Sequence, residues 1–193
     1  MKQSKRIAIT GGIGSGKSLV GRYLEKAGYP VLDCDVISRE VLSEPDVEEA
    51  LKKEFPQAFS KGALDRKKLA EIAFSSQKGT QALNAVMHPP IFRKLFERLS
   101  AYEDTVFVQI PLLAETGTEG AFDEIWLVEA PEEVRTRRVQ ERDGLSEAEV
   151  RKRMEKQAKD EKKRKIAHII LNNDGSVENL YRQIDAALLG VNR

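Results

Sequence analysis

The residues with the clearest chemical capacity form one loop, Gly11-Gly12-Ile13-Gly14-Ser15-Gly16-Lys17-Ser18. Glycines let such a backbone fold into a nest whose N–H groups converge on anionic oxygens, and a helix opening at Lys17 would add its positive end. The spacing G-x-x-x-x-G-K-S is met by Gly11, Gly16, Lys17 and Ser18. In that pattern the lysine reaches the β and γ phosphates of a nucleoside triphosphate, and the serine hydroxyl ligates Mg²⁺. ATP with Mg²⁺ is the expected ligand, held along Gly11, Gly12, Gly14, Ser15, Gly16, Lys17, Ser18 and Leu19. The competing reading is a chance match in a glycine-rich turn. An apolar strand before the loop and a helical pattern after it supply the context that the motif demands.

Two further groups could act on a phosphate held there. Asp33 and Asp35 flank Cys34 where a second strand ends. Strand alternation would point both carboxylates the same way, and pairing of that strand beside the first would bring them near the γ-phosphate. A carboxylate in that place can take the proton of an attacking hydroxyl or hold the water shell of Mg²⁺. Asp equally favours helix caps and turns, and that bland role stays open for both residues. Arg135, Arg138 and Arg142 share one helical face, and guanidinium forks stabilise charge on a transferring phosphoryl group. Each could instead sit on a solvated face paired with carboxylates such as Glu141. Weaker signals are His88 before Pro89-Pro90, read as the cap of a helix ending there, and Pro111-Leu112 at the end of a third strand.

These groups need elements to carry them. Strands are expected at 6–10, 30–33, 105–110, 124–128 and 168–172, with a helix from Lys17 stopped by Gly28. Strand, loop, helix and strand within about 30 residues make a βαβ unit, hence a parallel sheet. Roughly 70 residues separate strands two and three, far more than a crossover needs, so 36–103 reads as an inserted helical lobe. Its expected breaks fall at Pro45, Pro56, Gly62, Gly79 and Pro89-Pro90. A charge-dense helical stretch spans 132–165, broken near Gly144, with a capping box at Ser146 and Glu149. A closing amphipathic helix covers 177–189.

Bulk properties narrow the class. The 193 residues carry a net charge of only +1, yet 132–165 holds 13 Lys and Arg against 9 acidic residues. A basic segment on a near-neutral body suits a small polyanion better than nucleic acid. One cysteine, Cys34, allows no disulfide within the chain. The basic start is followed by too few apolar residues for a secretory signal, and no apolar run reaches membrane-span length. The cytoplasm is the expected location. Strand three ends Gln109-Ile110, without the acidic residue that many motor ATPases place there, and no Asn-Lys-x-Asp guanine-reading segment occurs.

The chain resembles the dephospho-CoA kinase family. Five segments carry the likeness: Thr10–Ser18, Val31-Leu-Asp-Cys-Asp35, Leu83-Asn-Ala-Val-Met-His-Pro89, Pro111-Leu-Leu-Ala-Glu115 and Asn173-Asp-Gly175. The resemblance implies a single α/β P-loop kinase domain with a five-stranded parallel sheet flanked by helices. Its parts would be a core (1–35, 104–131 and 166–193), a helical lobe at about 36–103 for the CoA precursor, and a helical lid at about 132–165. It implies Asp33 as general base toward the ribose 3′-hydroxyl of dephospho-CoA, with Lys17, Arg138 and Arg142 serving the phosphates. Asp35, His88, Pro111 and Leu112 are implied substrate contacts, and a monomer is expected. Three positions depart from the pattern. Leu19 stands where Thr is common, Cys34 where a small residue is usual, and Ala167-His168 where an Ala-Asp pair is usual. The rivals are another small-molecule P-loop kinase and a non-catalytic ATP-binding regulator, the latter having no need of Asp33.

Overall fold

Strands buried on both faces read as continuous apolar runs rather than alternating ones. Three such runs, β1 (Arg6–Thr10), β5 (Val106–Gln109) and β6 (Glu124–Glu129), form the centre of a five-stranded sheet in the computed structural model, which describes residues 5–191. The shorter β2 (Val31–Asp33) and β7 (Ile169–Asn172) are its edges, in the order β2-β5-β1-β6-β7, and every pairing is parallel. Helix α1 (Lys17–Lys26) follows β1 and ends as expected: Gly28 adopts φ 88°, and Tyr29 N–H donates to the Leu24 carbonyl at 3.0 Å. Helix α10 (Val177–Val191) closes the chain. Both pack on the sheet over Ile7, Ile9, Phe107 and Trp126, which are fully buried. Tyr23 and Tyr181 stack at 4.1 Å between them. Burying each of these large side chains contributes about 1.5–3 kcal/mol.

The order corrects one expectation. Strand β2 does not lie beside β1, because β5 stands between them. Apolar patterning reveals that a strand exists but not which neighbour it takes. Here the longer and better-buried β5 occupies the central place and the three-residue β2 the edge. The sheet therefore grows away from β1 on both sides, and the loop after β1 sits at the switch point where such sheets bind ligands.

Compact packing divides the chain into two units. One holds the sheet, with the chain up to Asp33 and from Tyr102 onward; the other spans Cys34–Ala101. In the first unit, α6 (Leu113–Thr116) follows β5, and the basic stretch folds as α7 (Glu132–Asp143), α8 (Glu147–Glu155) and α9 (Asp160–Ile166). Gly144 ends α7 at φ 67°, and the capping box at Ser146 and Glu149 is fully formed. The second break, at residues 156–159, carries no glycine or proline.

The second unit comprises α2 (Cys34–Val41), α3 (Pro45–Glu54), a hairpin of β3 (Phe59–Ser60) and β4 (Ala63–Leu64), α4 (Arg66–Ala73) and α5 (Gln77–Leu99). The hairpin is unexpected. Its two-residue turn, Lys61-Gly62, has positive φ at both positions, the geometry that twisted hairpins prefer. Helix α5 also differs from expectation, since it runs unbroken through Pro89 and Pro90 rather than ending at His88. Each proline forfeits one backbone hydrogen bond, but burial of Met87, Pro90, Leu95 and Leu99 holds the 23-residue helix together. Gly79 likewise sits inside its first turn, donating to the capping Ser76 hydroxyl at 3.0 Å. Glu44 binds Lys94 and Arg93 at 2.9 and 3.1 Å, and Glu40 binds Arg98 at 2.6 Å. Among the described residues no helix is long and apolar enough to cross a membrane.

Candidate active site

The loop after β1 is shaped before any partner is considered. Lys17 Nζ donates to the Gly11 and Gly12 carbonyls at 2.7 and 3.1 Å, so its ammonium lies across the loop that its own helix begins. Gly16 has φ 104°, open to glycine but strained for other residues. A side chain there would also collide with the Asn173 carboxamide, and one at Gly12 would meet the Arg135 guanidinium. Close approach therefore disfavours a side chain at both glycines, and at Gly16 the backbone shape disfavours it as well. Ser18 is exposed in the first turn of α1, Ser15 is buried, and Leu19 is half-buried.

Helix α7 and the turn between α8 and α9 lie against this loop. Arg135, only 7% exposed, donates to Asp160 at 3.1 Å, and the same carboxylate takes Lys163 at 3.3 Å. Gln157 accepts the Ile13 N–H at 2.8 Å, and the next residue, Ala158, donates its N–H to Glu115 at 2.7 Å. Arg138 makes a long contact of 3.5 Å to the Asn173 side-chain oxygen, while the Asn173 amide donates to the Ser15 carbonyl at 2.7 Å. A cavity of about 320 Å³ opens beside the loop, lined by Gly12, Ser15, Arg135 and Asp160 and by the Glu129–Arg164 ion pair at 2.8 Å.

The other candidates belong to elements of both units. Asp33 closes β2 at the carboxyl edge of the sheet, paired in register with Gln109, which pairs with Ile9. Two strand spacings put it about 10 Å from Ile9. Cys34 and Asp35 already belong to α2, so strand alternation does not relate Asp33 to Asp35; Cys34 is buried and Asp35 exposed. His88 lies in the second unit, half-buried and edge-on to Phe92 at 6.0 Å. Burial holds its imidazole below the ordinary value of 6.5, so the neutral form is favoured. Pro111 and the exposed Leu112 follow β5 at the carboxyl edge. Arg142 points away to a forked pair with Asp143 at 2.7 and 2.9 Å; that bond raises the guanidinium and lowers the carboxyl.

The loop region fits a polyphosphate. Arg138 Nη1, Arg135 Nε and the Ser15 hydroxyl are buried there, with no hydrogen-bond partner among the described residues. Buried cationic nitrogens call for an anion. The described residues contain no cluster of three or more His, Cys, Asp or Glu able to hold a metal.

Three residues beside the loop escape motif reading. Gln157 and Asp160 occupy a charge-dense stretch in which nothing distinguishes them from solvated neighbours. Asn173 belongs to a segment that carries the family resemblance, yet its turn-like context hides the buried role of its side chain.

Comparison with known proteins finds similarity along most of the chain. A profile of a family described as dephospho-CoA kinase matches residues 5–179. A dephospho-CoA kinase of Thermus thermophilus is 48% identical over 183 residues, covering 94% of this chain and 89% of the relative. A crystal structure of a Thermus thermophilus chain superposes with a TM-score of 0.88 at 46% identity, covering 98% of both chains. The dephospho-CoA kinase of Campylobacter jejuni superposes at 0.71 with 26% identity, covering 97% of this chain and 96% of that one.

Proposed function

Because the chain belongs to the dephospho-CoA kinase family, we propose that it transfers the γ-phosphoryl group of ATP to the ribose 3′-hydroxyl of dephospho-CoA, giving coenzyme A and ADP. The observation that carries the reading is the pairing of a glycine loop, crossed by Lys17, with buried, unsatisfied arginine nitrogens beside it. Transfer of a phosphoryl group asks the protein mainly for positioning and charge stabilisation, which that arrangement supplies.

The residues divide the work as follows. The loop amides from Gly11 to Ser18 cradle the phosphate chain, with Leu19 following in the same turn of α1. Lys17 exchanges its carbonyl partners for phosphate oxygens. Ser18 would hold Mg²⁺, which when bound would neutralise charge on the phosphates. Asp33 accepts the proton of the 3′-hydroxyl, whose oxygen forms the new bond to phosphorus as the bond to the ADP oxygen breaks. Arg138 and Arg135 stabilise charge on the transferred group, and Arg142 joins them only by leaving Asp143. Residues 36–103 would receive the CoA precursor, with Asp35 and His88 as its contacts in the Cys34–Ala101 unit; Pro111 and Leu112 are separate candidate substrate contacts on the sheet unit, and 132–165 act as a lid that excludes water. The reading places a monomeric enzyme in the cytoplasm with its ATP.

A panel of acceptors separates this reading from its rivals. ADP release should depend on dephospho-CoA and be negligible with nucleoside monophosphates, shikimate or gluconate. Faster turnover with any of those acceptors would transfer the assignment to another small-molecule kinase. ATP binding with no acceptor-dependent turnover would favour a regulator.

A further inference from the structure

Asn173 is the residue whose placement exceeds its assigned role. It follows β7, its backbone N–H donates to the Glu129 carbonyl at 2.7 Å, and it is only 4% exposed. Both ends of its carboxamide are engaged. The nitrogen donates to the Ser15 carbonyl at 2.7 Å and the oxygen receives Arg138 Nη2 at 3.5 Å. The absence of a side chain on Gly16 is what admits the nitrogen so close to the loop. Carbonyl and N–H of one trans peptide point in opposite directions. Holding the Ser15 carbonyl on Asn173 therefore aims the Gly16 N–H away from Asn173, where the nest must present its donors. The same carboxamide steadies the arginine whose other nitrogen, Nη1, is buried and without a partner among the described residues.

We propose that Asn173 is a positioning residue that sets the Ser15–Gly16 peptide and the Arg138 guanidinium in register on one phosphate chain. This rests on the kinase reading above, but its loop half concerns ATP binding alone. The two ends of the side chain make separable predictions. Asn173→Asp keeps the oxygen toward Arg138 and sets a carboxylate against the Ser15 carbonyl. Its loss should fall on ATP affinity, roughly tenfold or more, with kcat at saturating ATP within about fivefold of wild type. Asn173→Ala removes both ends and should lower affinity and kcat, each roughly tenfold.

ATP dissociation constants come from titration calorimetry on the full chain, kcat from ADP release with dephospho-CoA, and folding from thermal melts. The decisive comparison is a cycle with Arg138→Ala: in that background the kcat cost of Asn173→Ala should shrink to under about threefold, because coupled residues are non-additive. Equal costs in both backgrounds, or ATP affinity within about twofold of wild type for the alanine and aspartate variants, would overturn the proposal. Should the alanine variant fail to fold, the isosteric aspartate variant decides the loop half, and its kcat at saturating ATP decides the arginine half. If wild type binds ATP but does not phosphorylate dephospho-CoA, the kinase reading fails while the calorimetric result still judges Asn173.

Discussion

At the scale of single residues, the loop from Gly11 to Ser18 combines two requirements that a motif alone does not separate. Its glycines permit the backbone shape, and at Gly12 and Gly16 they also make room for Arg135 and Asn173. The motif was legible because spacing and residue type state its chemistry outright. Asn173 and Gln157 were not, because their contacts span 158 and 144 residues of sequence and depend on how distant elements meet. Asp33 is legible as a carboxylate at a strand end, but its distance from the loop is not, because β5 intervenes between β2 and β1. Asp33→Asn tests its role directly: the amide fits the same space but is a far weaker base. We expect kcat to fall by about 10²–10⁴, the range of general-base contributions, with the ATP dissociation constant changed less than about threefold. Retention of kcat within about tenfold would remove Asp33 from that role.

At the scale of elements, the five strands of the parallel sheet, α1, the capping box and the closing helix all follow from local pattern, since each rests on periodicity and end signals; the β3–β4 hairpin does not. Strand order, the run of α5 through Pro89-Pro90 and the break at residues 156–159 do not, because tertiary packing decides them against or without local cues. The edge of the sheet shows how a departure from the family pattern is absorbed. Strand β7 begins at Ile169, so the Ile125 N–H on β6 lacks a ladder partner there; His168 Nδ1 accepts it at 3.1 Å while its backbone N–H donates to the Ile125 carbonyl at 2.9 Å. An aspartate oxygen could accept the same bond, which gives the usual acid a structural reading. His168→Ala should cost about 1 kcal/mol by urea unfolding, because a buried donor loses its acceptor, and His168→Asp should recover most of it. Equal stability of wild type and the alanine variant would leave that bond without consequence.

At the scale of the whole molecule, two units with separate packing divide the chain, and only the one holding the sheet carries the phosphate loop and the basic helices. The Cys34–Ala101 unit contributes its own pH dependence through His88. Burial favours the neutral imidazole, so the folded state binds fewer protons than the unfolded chain below the ordinary value of 6.5. Stability should therefore be full above that value and decline as pH falls through it, and His88→Gln should flatten the decline in urea midpoints measured from about pH 7.5 to 5.5. An identical slope in the variant would assign the decline to other groups.

The central claim is phosphoryl transfer to one particular hydroxyl, and the most direct measurement is to follow γ-labelled ATP with dephospho-CoA and locate the label in the product. The account predicts one equivalent of label per ADP formed, carried on the ribose 3′-oxygen and dependent on Mg²⁺. Label released as inorganic phosphate, or carried on any other oxygen, would contradict it.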